Sequence, residues 1–203
     1  MCPPHPPSRF AEGRLRRYPM RSMDSSPSSP SVAPTRVASD LEVAGLDEDH
    51  VAGTIHNLVI IVWRFRTRFE PYRAGIRLLE KLSRSHPEGV GTLQIVETEA
   101  SPPEADARKA FKDALEVPGL RHFSVTHEGT GFKAASVRAI VWGVHTLARP
   151  TFPYAVHDSV AEAARWAVEH NRALGRRDDA RSIEEAIREL RRLHRERYPG
   201  HPG

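Results

Sequence analysis

The chain has a single cysteine, Cys2, in its first residues. A disulfide framework and a cysteine-based metal site are thereby excluded. Long apolar runs are also missing. The longest, Ala134 to Ala148, is shorter than the roughly 20 residues a bilayer needs and carries Arg138 and His145. No apolar segment follows the early arginines, so no secretory signal is expected and the cytoplasm is the default compartment. The usual signatures of catalysis and nucleotide binding are absent: no G-x-S-x-G, no G-x-x-x-x-G-K-[ST], no G-x-G-x-x-G and no H-E-x-x-H. The eleven histidines are scattered, none in a metal-ligand spacing. They read as structural, and neither a metal nor another cofactor is called for.

Periodic apolar residues are scarce at the start. Residues 1–49 are dominated by Pro, Ser, Arg and acidic residues. Such a segment buries too little apolar surface to offset its ordering entropy and is expected to be a disordered leader. Met20 and Met23 are alternative starts to Met1. The net charge of +4 suggests nucleic acid at first sight, but residues 172–203 hold nine Arg against six acidic residues and supply most of it. Charge confined to a tail is usually solvation, so nucleic-acid binding is not favoured.

What is present is an alternation of strand and helix patterns. Asn57 to Phe65, NLVIIVWRF, reads as a buried strand, with 51–55 as hairpin partner across His56-Asn57. Tyr72, Ile76, Leu79 and Leu82 mark a helix from Pro71 to His86. Val90 to Glu97 is a strand. Ser101 and Glu104 have capping-box spacing before a helix with Ala107, Phe111 and Leu115 on its buried side. Arg121 to Thr126 alternates as a strand. Phe132 to Leu147 is the most apolar helix, with Ile140 among its core positions. Tyr154 to His157 is a short strand, and Ser159 to Glu162 a second capping box opening a helix through Trp166. A last helix from Ser182 to about Arg195 has a thin stripe of Ile183, Ile187, Leu190 and Leu193. It docks on the domain, self-associates or stays half-formed. The fold class is α/β: a four- to five-stranded, mainly parallel sheet at 50–171 with helices packed on it, followed by a basic tail at 172–203 with an amphipathic helix.

The turn Glu128-Gly129-Thr130-Gly131 sits between a strand's carboxyl end and a helix start, where α/β sheets tend to bind ligands. Its glycines allow unusual backbone angles, the helix start offers free N–H groups to an anion, and Lys133 adds charge. The plainer reading is a strand–helix turn with Thr130 as N-cap. Glu97 and Glu99 read as a solvated strand end, as do Arg64, Arg66 and Arg68.

At that turn the chain resembles STAS domains, the fold of anti-sigma-factor antagonists, and their SpoIIAA-like relatives. The resemblance covers about residues 55–171. It rests on the element order, the apolar helix 132–147 and the ending Val156-His-Asp-Ser-Val-Ala-Glu-Ala-Ala-Arg-Trp166. STAS antagonists carry Asp-Ser-Ser-Gly there, and a partner kinase phosphorylates the residue before Gly. Glu128, Gly129, Thr130 and Gly131 occupy those places, with Glu for Asp, Gly for the first Ser and Thr for the acceptor. The resemblance thus implies a non-catalytic regulatory module with a protein partner and Thr130 as phosphoacceptor. The alternative is a small-ligand or anion-binding carrier or enzyme with a pocket at the carboxyl end of the sheet. Convergent polar groups in a cavity would favour the carrier or enzyme.

Overall fold

The structure, a computed structural model, describes residues 40–200, with the side chains of 132–134, 144, 145 and 147 left aside. The segment 1–39 lies outside the described residues, and with it nearly all of the expected leader. The chain order is β1 (Leu41–Leu46), β2 (His50–Ile55), β3 (Leu58–Trp63), α1 (Phe69–Ser85), β4 (Val90–Val96), α2 (Ala105–Leu115), β5 (Leu120–His127), α3 (Gly131–Ala148), β6 (Tyr154–His157), α4 (Val160–Ala173) and α5 (Ala180–Arg197).

The architecture is α/β, with a six-stranded sheet in the sequential order β1-β2-β3-β4-β5-β6. The β1–β2 and β2–β3 pairs are antiparallel, and the remaining pairs are parallel. The expected count of four or five strands is therefore one or two short. The extra strand, β1, lies inside the stretch read as an aperiodic leader. Its period-two signal is weak because it is an edge strand whose register shifts between Val43 and Gly45. Only Leu41 of its residues is buried.

Sequential order puts all three crossover helices on one face, as right-handed connections require. Val59, Ile61 and Trp63 of β3 point to that face and pack with Phe111 of α2 and with Val137 and Val141 of α3. Leu58, Ile60 and Val62 point to the other face, against α4 and α5. Cover on both faces is why β3 reads as an uninterrupted apolar run. Within the first layer, Trp63 Nε1 donates to Gln94 Oε1 at 2.7 Å, and Gln94 Nε2 to Thr92 Oγ1 at 3.2 Å, so the buried indole and amide are paired.

Several local expectations are corrected. Ser101 does not cap α2; its hydroxyl donates to Phe65 O, and the helix starts at Ala105, after the extended Pro102-Pro103 pair. Asp179, not Ser182, caps α5, accepting from Ser182 N. Ser159 does cap α4 by accepting from Glu162 N. Ile140 of α3 is only half-buried, while Val137 and Val141 carry the inward face. Ile183, Ile187 and Leu190 of α5 are fully buried. Of the three outcomes open to this helix, docking on the domain is the one seen for these three residues, while Leu193 is only half-buried. Among the described residues no helix is long and apolar enough to cross a membrane.

Candidate functional site

The carboxyl ends of the parallel strands form a charged rim. The residue following each strand is Arg64 after β3, Glu97 after β4, Glu128 after β5 and Asp158 after β6. Helix α5 ends over this rim. Its Arg191 donates from Nε to Glu97 Oε1 at 2.5 Å and from Nη2 to Glu128 Oε2 at 2.8 Å. Partial burial pushes the Glu128 carboxyl up, but Arg191 and the Val160 N–H outweigh it and hold the group below its ordinary range. Burial opposes the Arg191 charge, and Glu97 and Glu128 more than restore it. Glu97, read as a solvated strand end, is half-buried in this bridge. Arg138 of α3 pairs with Asp158 at 2.7 Å.

Glu128 anchors the turn at its base, because its Oε1 also accepts from Val160 N at 3.2 Å. Gly129 has no room for a side chain: a Cβ there would stand 2.7 Å from His127 Nε2. Gly131 has φ +77, and a Cβ would meet nothing within 4 Å. Between them Thr130 is exposed. The structure thus brings Glu128, Gly129, Thr130 and Gly131 together as one turn; the Lys133 side chain is outside the description. Arg66 and Arg68 leave the rim. They lie against the β1–β2 connection, Arg66 Nε 3.3 Å from Asp49 Oδ1 and Arg68 Nε 2.6 Å from Asp49 Oδ2.

Beside the turn, at the ends of β3 and β4, lies a crevice of about 310 Å³. Arg64, Phe65, Glu97, Thr98, Glu99, Arg191, His194 and Arg195 contribute to its walls. No motif announced it, since its walls come from three separate segments.

A second polar cluster sits at the opposite, amino end of the strands. Asn57 and Asn171, both fully buried, form a reciprocal amide pair at 3.2 and 2.9 Å. Asn171 Nδ2 also donates to Asp178 Oδ2, and His122 Nε2 donates to Asn171 Oδ1 at 2.8 Å. Burial lowers His122 to about 4, against the pull of the Asn171 hydrogen bond, so the ring is neutral. Its depressed value gives the sign of a pH effect. Below pH 6.5 the unfolded chain takes up a proton that the fold refuses, so stability falls with pH until about 4. The loss is bounded by about 3 kcal/mol. Thermal melts at pH 7 and pH 4.5 are expected to show a larger drop for the wild type than for His122→Gln. Equal drops would refute the assignment. Among the described residues no three His, Cys, Asp or Glu side chains gather as a metal site.

Compared with protein-family models, with curated proteins and with solved structures, the chain shows no match.

Proposed function

We propose that this chain is a non-catalytic, STAS-like regulatory module of the cytoplasm that contacts a protein partner through the turn Glu128–Gly131. The observation that carries the reading is a turn anchored at its base and exposed at its tip. Glu128 is held by Arg191 and by the head of α4, while Thr130 stands in solvent at the start of α3.

The electrostatics suit a phosphorylated Thr130. A helix start such as that of α3 presents N–H groups without intrahelical partners and the positive end of its dipole, which suit a phosphate. The nearest acid in sequence, Glu128, is already paired with Arg191, which reduces its repulsion of added charge. Phosphorylation would place about two negative charges on the contact surface, repelling an acidic partner or recruiting an arginine.

The test compares wild type, Thr130→Ala and Thr130→Glu in quantitative affinity capture from the native host, with mass spectrometry of Thr130 in the recovered chain. The expected result is a partner retained by wild type and Thr130→Ala and changed at least fivefold by Thr130→Glu, the size of a modest coupling energy. Identical recoveries for all three would reduce the turn to a helix start.

A further inference from the structure

We infer that the crevice at the ends of β3 and β4 is a binding site for a small anion, a carboxylate or a phosphate monoester, held between Arg64 and Arg195. This inference stands apart from the reading of the Glu128–Gly131 turn.

The argument starts from unmatched charge. Arg64 is half-buried, and its bonds go to neutral acceptors. Nη1 donates to His194 Nδ1 at 3.3 Å and to the Tyr198 carbonyl at 3.2 Å. Burial, and then the Arg64 charge, push His194 down, so the ring stays neutral and accepts. No carboxylate pairs with Arg64 or Arg195 among the described residues, although Arg66, Arg68, Arg138, Arg176, Arg181, Arg191 and Arg192 each have one. A guanidinium withdrawn from water without a counter-ion is costly, and an anion arriving beside it recovers that cost. The forked donors of arginine match carboxylate and phosphate oxygens.

The acids in the walls leave this balance intact. Glu97 is spent on Arg191 at 2.5 Å. Glu99 is exposed at the edge of the crevice, where water screens it. Thr98 adds an exposed hydroxyl and Phe65 an apolar wall, its ring 4.9 Å below the Arg64 guanidinium carbon. A volume of about 310 Å³ suits a compact ligand, at the small end of ordinary pockets. The place is also suitable: the crevice lies outside the carboxyl ends of two parallel strands. Here every crossover helix is on one face, and it is α5, on the other, that overhangs the strand ends and closes the wall.

Isothermal titration of the full chain with inorganic phosphate, phenyl phosphate and benzoate tests the site. At least one probe is expected to bind saturably, at one equivalent. Arg64→Gln is expected to weaken that probe by at least about tenfold, the loss of one charge-assisted hydrogen-bond pair. Arg195→Gln, on the exposed rim, should weaken it by about threefold or more. Arg192→Gln removes the same charge from the outer side of α5, where Arg192 pairs with Glu189 and Glu196, and should change nothing. Should Arg64→Gln fail to fold, Arg64→Lys and Arg195→Gln carry the same comparison. Preference for phosphates or for benzoate identifies the source of the anion. No saturable binding of any probe at about 10 mM, a level that millimolar affinity would saturate, overturns the site. An Arg192→Gln loss equal to that of Arg64→Gln and Arg195→Gln overturns it too.

Discussion

Replacing Asn171 by Leu is expected to cost the fold about 4 kcal/mol, most of the stability of an ordinary domain. The two side chains are similar in volume, so the cost is polar. Asn171 is fully buried and joins three elements that are far apart in sequence. Its oxygen accepts from Asn57 and His122, and its nitrogen donates to Asn57 and Asp178. Leucine leaves the Asn57 amide oxygen, the His122 N–H and one oxygen of the Asp178 carboxylate without these partners inside the protein, while Asn57 Nδ2 keeps its bond to Gly89 O. Each unsatisfied group costs about 1–3 kcal/mol, more when charged. His122 is worst placed, because its other nitrogen, Nδ1, is buried without a partner already. Denaturant unfolding of wild type and variant measures the difference. A shift under about 1 kcal/mol would mean that water replaces the lost partners and that the network is not a dry core element.

Ile187→Asp is expected to abolish the folded state. Ile187 is fully buried in the layer shared by β3, α4 and α5, with Ile60, Leu93 and Ala167 in the same cluster. An isolated carboxylate there has no cation to meet, and such burial costs several kcal/mol even after the group takes up a proton. The companion Arg192→Asp, on the outer side of the same helix, loses exposed ion pairs and should cost less than about 1 kcal/mol. Circular dichroism and size-exclusion chromatography decide between the two. A folded Ile187→Asp protein with the wild-type melting midpoint would show that α5 is dispensable to the core.

The contrast between these two helical positions shows how far a pattern can be read. Spacing alone marked Ile183, Ile187 and Leu190 as one face of a helix, because apolar residues at three- and four-residue intervals line up on a cylinder. Spacing could not say what that face meets. A thin apolar stripe suits a second copy as well as a sheet, and only the uncovered β2–β3 surface on the α4 side selects the sheet. The same limit explains Ile140. A helix apolar nearly all round carries little directional signal, so its inward residues, Val137 and Val141, are chosen by the position of α2 and the sheet.

The rim was half legible. The turn Glu128–Gly131 stood out because two glycines bracket a threonine between a strand and a helix, a local pattern with a local cause. The bridge from Arg191 to Glu97 and Glu128 spans 94 and 63 residues of sequence, and arginines crowd the last helix. Nothing nearby distinguishes Arg191 from Arg192, which faces outward and pairs within its own helix.

By itself, the sequence determined the α/β class, the alternation of elements from residue 50 onward, the doubly covered strand β3, the cap at Ser159 and the exposed turn before α3. Each follows from side-chain periodicity or from backbone chemistry within a few residues. The tertiary structure alone decided the edge strand β1, the docking of α5, the buried Asn57–Asn171–His122 network and the arginine crevice. Those depend on groups brought together from distant segments, and a hydrogen bond or an ion pair is fixed by the distance between its atoms, whatever the separation along the chain.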